Sequence, residues 1–205
     1  MEARKGGWMT HLYRLLLIFS SISLTVAIFL VNKGVSILGD VNAWALKNLP
    51  HMPVMEWSPP DALLTSMSYI LYFLACLFIS SSGFFATRWL SEERVDEASF
   101  KSIELVNDTF LPIYLAYFFV ALSTTNYLSF FLIFGLVLVF VYRSGGAYFD
   151  PIYVLRGYKI YAAISNKDVK SYIITKKILK GVGDLKFEGL RRVNDFTFIE
   201  IGVTK

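Results

Sequence analysis

The chain is short of the residues from which active sites are usually built. It has one cysteine, Cys76, in 205 residues. A single thiol excludes a disulfide framework and a thiolate metal cluster, and its place in an apolar run reads as a small core side chain. Two histidines, His11 and His51, are too few and too far apart for a zinc triad without carboxylate help. No phosphate-binding Walker loop occurs. Gly181-Val182-Gly183 lacks the third glycine and the strand–helix setting of a dinucleotide motif. The carboxylates Glu92, Glu93, Asp96, Glu97 and Glu104 crowd one stretch, but without the spacing and glycine of a calcium loop. Ser80-Ser81-Ser82 has no base nearby. The chain therefore implies no catalytic residue, no cofactor and no metal, and is not expected to be an enzyme.

Charge is sparse as well. Charged residues make up 18% of the chain, against about 25% in soluble domains, while 55% are hydrophobic and the mean hydropathy is +0.52. The scarcity is greatest from Thr109 to Tyr142, 34 residues without one Lys, Arg, Asp, Glu or His. As one helix this run would be about 51 Å long at 1.5 Å per residue, against a bilayer hydrocarbon core of about 30 Å. The run therefore predicts a helical hairpin that crosses a membrane twice and turns at Ser123–Asn126.

Two more apolar runs, 12–31 and 62–87, each suffice for a span. Together they predict an α-helical integral membrane protein with four transmembrane helices at about 12–31, 62–87, 105–123 and 127–142, forming a domain over 1–143. Arg14 can snorkel from the first span to the interface. The first run lacks a cleavage site and reads as an uncleaved anchor. Between the first two spans, Val35, Leu38, Val41, Trp44 and Ala45 follow a rough helical period, suited to lying along the membrane surface. Pro50, Pro53, Pro59 and Pro60 break the chain behind them. Trp44 and Trp57 suit the headgroup interface, and His51 reads as a loop histidine. The charged stretch 88–104 predicts a solvated connecting helix, with Asp108 capping the third span. Gly145-Gly146 ends the membrane part.

Beyond it, segments near 153–164, 171–179, 186–193 and 196–201 read as strands, with turn signals at Asn166-Lys167-Asp168 and Asn194-Asp195. They predict a small antiparallel β-rich tail over 144–205. Basic residues favour the cytoplasmic side. With four spans and an inner N-terminus, 18 of the 20 Lys and Arg lie inside, and only Lys33 and Lys47 outside. Both termini are then cytoplasmic. From Arg143 onward twelve basic and six acidic residues give +6, with clusters at Lys176, Lys177 and Lys180 and at Arg191 and Arg192. Such a patch fits an acidic protein partner, anionic lipid headgroups or, less well given its few interleaved aromatics, nucleic acid.

Four spans followed by a tail carrying Gly157-Tyr158-Lys159-Ile160-Tyr161, Tyr172-Ile173-Ile174-Thr175-Lys176-Lys177 and Asn194-Asp195-Phe196-Thr197-Phe198 resemble the membrane subunit of the bacterial Kiwa anti-phage system, KwaA. The resemblance implies a non-enzymatic sensor of the bacterial inner membrane. It implies a homo-oligomer, a tetramer by that likeness, that recruits a soluble DNA-binding effector, the KwaB-like second protein of the system. It carries over no catalytic residues. Lys176, Lys177, Lys180, Arg191 and Arg192 are the candidates for the partner contact on charge alone, and direct nucleic-acid binding is not expected. The alternative reading is a small oligomeric channel or transporter lined by Ser80–Ser82, Thr87 or tyrosines. The scarcity of ionisable groups in the spans speaks against it.

Overall fold

The computed structural model describes residues 6–48, 59–87, 90, 92, 99–144, 150–185, 187 and 189–200, with side chains from Leu15 in the first helix and to Arg143 in the fifth. The Arg14 and His11 side chains, His51, Trp57, the charged residues Arg88, Glu93, Arg94, Asp96 and Glu97, and the Gly145-Gly146 stop lie outside the described residues.

The elements run α1 (Gly6–Asn32), α2 (Ile37–Asn48), α3 (Asp61–Ala86), β1 (Phe100–Leu105), α4 (Asn107–Ser123), α5 (Tyr127–Ser144), α6 (Pro151–Leu155), β2 (Lys159–Ser165), β3 (Lys170–Thr175), a 3-10 turn (Val182–Asp184), β4 (Leu190–Asn194) and β5 (Thr197–Glu200). α2 occupies the rough helical period expected between the first two apolar runs. It is tied to α3 where the Leu38 N–H donates to Ser68 Oγ at 3.0 Å.

The four-span architecture does not hold. Among the described residues two helices are long and apolar enough to cross a membrane, over Leu15–Asn32 in α1 and Asp61–Ala86 in α3. The uncharged run folds as two helices that turn at Thr124–Asn126, but α4 and α5 have only 17 and 18 residues. At 1.5 Å per residue that is about 26–27 Å, short of the about 30 Å core. The distribution of Lys and Arg excludes one crossing over this run, but no crossing serves it as well as two, since the same 18 basic residues then lie on one side of α1 and α3. α4 and α5 instead lie along α1. The Asn32 side-chain amide donates to the Leu122 carbonyl at 3.0 Å, and Phe29 stacks on Phe130 with ring centres 3.8 Å apart.

The sheet differs from expectation in two ways. It has five strands in the order β1-β2-β3-β5-β4, and it is mixed, because β3 and β5 run parallel. Its first strand is Phe100–Leu105, from the stretch read as a solvated helix and as the start of the third span. Val106, not Asp108, occupies the position before α4, and its side chain makes no cap; Asp108 falls in the first turn, where a carboxylate still favours the helix dipole. The two turn signals are where the sequence puts them. Asp168 takes a φ of 60° between β2 and β3, and Asn194 Oδ1 accepts the Phe196 N–H at 2.8 Å between β4 and β5.

Strands β2 and β3 read as continuous apolar runs because both faces of the sheet are covered. On one face Ile160, Ala162, Ile174, Val193 and Ile199 form one core with Leu17, Ile18 and Ile22 of α1. On the other, Tyr161, Ala163, Ile173, Phe198 and Leu190 of β4 bury against Leu179 and Leu185 from the segment that folds back after β3. Three side chains of the first apolar run, Leu17, Ile18 and Ile22, thus belong to the sheet's core. The helices keep large apolar faces outward: Phe78, Phe119, Leu128, Leu132 and Phe140 are all more than 60% exposed.

Candidate functional site

The polar chemistry of the chain gathers where α6 joins the sheet to α1 and α3. Asp150 is fully buried. Its Oδ1 accepts the Ile152 N–H at 2.9 Å, capping α6, with Pro151 in the first helical position. Its other oxygen accepts the hydroxyl of Ser20 in α1. One turn later the Arg156 guanidinium reaches α3, donating to the Leu77 carbonyl at 3.0 Å and to Ser81 Oγ. The five residues of α6 therefore hold one charge against each long helix. Gly157, at φ 82°, then turns the chain into β2, a conformation glycine adopts without strain.

Small residues make the docking possible. A methyl group on Gly83 would lie 2.9 Å from Leu16 and 3.4 Å from the Tyr153 hydroxyl. Ser80 Oγ and the Tyr153 hydroxyl are buried, and neither has a hydrogen-bond partner among the described residues. Burial, reinforced by the Asp150 carboxylate and opposed by Arg156, pushes the Tyr153 phenol well above its usual range. Tyr158 is raised in the same way, again chiefly by burial. Ser81 and Ser82 donate to Leu77 and Phe78 carbonyls of their own helix, and Thr87 to Phe84. These hydroxyls are engaged with their own backbone.

The five cations expected to meet a partner do not form one patch. Lys176, just beyond β3, is exposed and lies with its Nζ 4.9 Å over the Tyr158 ring. Lys177 turns inward to a fully buried carboxylate, Glu200, at 2.6 Å, and that carboxylate also accepts the Thr175 hydroxyl. Lys180 is exposed, and its N–H donates to Asp184 at 2.7 Å. Arg191 and Arg192 lie two strands away on β4. Arg191 donates to the Leu90 carbonyl at 3.0 Å and approaches Glu92 at 3.8 Å, while Arg192 pairs with Asp195 at 2.7 Å. Sequence reasoning missed Asp150, Ser20 and Arg156. The local signal is Asp150-Pro151, a helix-start dipeptide, which reads in the sequence as the start of the tail.

Among the described residues no three His, Cys, Asp or Glu side chains converge as a metal site would require. Neither the comparison with curated proteins nor that with solved structures finds a match. The family model described as anti-phage protein KwaA matches residues 13–199, which takes in α1 from its first turns, the α6 junction and all five strands. The chain belongs to the KwaA family of anti-phage proteins.

Proposed function

We propose that the protein is the non-enzymatic membrane sensor of a bacterial anti-phage defence complex. α1 and α3 cross the inner membrane, and both termini and the sheet lie on the cytoplasmic side, where 18 of the 20 basic residues then fall. The observation that carries the reading is the shared core. Leu17, Ile18 and Ile22 of α1 are buried among residues of the sheet, so a tilt or shift of α1 in the bilayer is imposed on the sheet without a flexible linker. Asp150 and Arg156 add a second pair of ties.

The outward apolar faces of α4 and α5 supply a surface for self-association into a homo-oligomer, a tetramer by the resemblance. The turn of the β4–β5 hairpin offers the effector contact. There Phe196, half exposed at the tip of the β4–β5 hairpin, stands beside Arg192. Lys176, Lys177 and Lys180 sit at the other end of β3. Affinity purification of the tagged full chain from its host during phage infection tests the reading. It expects a soluble DNA-binding protein to copurify, with Arg192→Glu or Phe196→Asp abolishing both copurification and resistance. Resistance unchanged after deletion of the gene would overturn it.

A further inference from the structure

We infer that the end of the sheet nearest the helices is a docking surface for a bilayer rich in anionic headgroups, an inference that rests on α3 crossing the membrane. Three contacts meet at this end. Lys159, where β2 begins, pairs with Thr175, where β3 ends. The Tyr158 ring just before it lies 5.7 Å from the ring of Phe84 in the last turn of α3. Lys176 stands over that same tyrosine. Lys159 and Lys176 are therefore placed where the apolar run of α3 stops, at the level of the headgroups, and Lys180 follows four positions after Lys176, beyond Leu179, which packs on the sheet's other face.

Apolar side chains at the same end face outward. Leu155 of α6 is 69% exposed, Ile178 is 66% exposed, and Phe85 of α3 is 59% exposed. Elsewhere the two faces of the sheet are covered, so these are not the sheet's ordinary surface. Ile178 is held in that position. The Tyr161 hydroxyl donates to the Lys177 carbonyl at 3.3 Å and accepts the Leu179 N–H at 3.0 Å. Two backbone anchors on either side of Ile178 push its side chain out while Leu179 is buried. The order Lys176-Lys177-Ile178-Leu179-Lys180 thus presents an apolar side chain flanked by ammonium groups. A segment at a lipid interface has this composition: the apolar group enters the acyl boundary and the cations meet phosphate.

Carboxylates stand at this end as well. Glu200 is buried against Lys177, and Asp184 accepts the N–H groups of Lys180 and Gly181. Glu104 near the end of β1 and Asp108 in the first turn of α4 are exposed, but on the β1 side of β2, away from Lys176 and Lys180 on the β3 side. An acidic protein would be served by the lysines alone and leaves the outward Ile178 and Leu155 without a role. A bilayer uses both.

The test uses the full chain with Cys76→Ser, so that one introduced thiol can be labelled. Ile178→Cys and Leu155→Cys carry an environment-sensitive fluorophore, with Asp168→Cys at the far turn as control. The chains are reconstituted in nanodiscs of phosphatidylglycerol with phosphatidylethanolamine, or of phosphatidylcholine alone. A blue-shifted emission quenched by bilayer-borne quenchers is expected at 178 and 155, but not at 168, in the anionic discs. The shift should shrink in phosphatidylcholine, in high salt and with Lys176→Glu plus Lys180→Glu. Water-like emission at 178 and 155 in anionic discs overturns the inference while leaving the spans intact. A chain that alkaline carbonate strips from native membranes overturns the spans themselves.

Discussion

Ser20 and Asp150, 130 positions apart, meet in a buried hydrogen bond in which the serine hydroxyl donates to the carboxylate. The same carboxylate caps α6, so one side chain fixes both the start of the junction helix and its attachment to α1. Ser20→Ala leaves a buried carboxylate oxygen short of a donor, and a loss of about 1–3 kcal/mol is expected. Asp150→Ala removes the cap as well and should cost a further ~1 kcal/mol. Thermal unfolding in detergent, followed by loss of the monodisperse peak, reads both. A Ser20→Ala chain as stable as the parent would show that the bond carries no weight.

The Lys177–Glu200 pair is asymmetric, since the Glu200 side chain is fully buried and that of Lys177 one-third exposed. Lys177→Met strands a buried charge, whereas Glu200→Gln removes the charge and keeps a group that can bond Thr175. The lysine substitution should therefore be the more damaging, by up to about 3 kcal/mol, the low end for breaking a buried pair. Equal losses in chemical denaturation would count against this assignment of roles.

Tyr153 gives a pH dependence with a defined sign. Burial raises its phenol above the ordinary tyrosine value of about 10. The unfolded chain ionises at the ordinary value, so the stability this group contributes is complete below about pH 10 and is lost as pH climbs above it toward the higher folded pKa. Melting temperature should fall on that alkaline limb, and Tyr153→Phe should flatten it. At neutral pH the same substitution removes a buried hydroxyl without a partner, so stability should hold or rise slightly.

Gly83 sets how closely α1 and α3 approach. A methyl there meets the flexible end of Leu16 at 2.9 Å, which can move, so Gly83→Ala should be tolerated. Gly83→Leu must displace Leu16 and the Tyr153 ring together, and an overpacking cost of about 1–3 kcal/mol is expected. Yield and melting temperature of the two variants, measured side by side, separate the outcomes.

The aromatic contact between α1 and α5 offers a core test away from the junction. Phe29 is fully buried and stacks on Phe130. Phe29→Ala should lose about 3–5 kcal/mol, as for other buried aromatics cut to alanine. Phe119→Ala, at a site 67% exposed in the single chain, should instead leave the monomer's stability unchanged and weaken self-association, as read by native mass spectrometry.

Much of the local structure follows from the sequence alone because its causes are local. Apolar runs at 12–31 and 62–87 had to become helices, since backbone groups without water or side-chain partners bond within the helix. Asn166–Asp168 and Asn194-Asp195 had to turn, because these side chains bond their own backbone and tolerate the turn's dihedrals. The family resemblance rested on residues of this kind, in strands β2, β3 and β5.

What tertiary structure decided was which apolar residues serve lipid and which serve a protein core. Periodicity and hydropathy are the same for both, because both solvents are apolar. Leu17, Ile18 and Ile22 read in the sequence as part of a span's lipid-facing surface and are packed on the sheet. Phe100–Leu105 reads by its charges as a solvated helix, yet it pairs with β2, whose free edge lies 55 or more positions further along the chain. Asp150, Ser20 and Arg156 are one site only because α6 folds back between two helices distant in sequence. A hydrogen bond across 130 residues leaves no trace in composition, spacing or charge, and only the packed chain brings its two ends together.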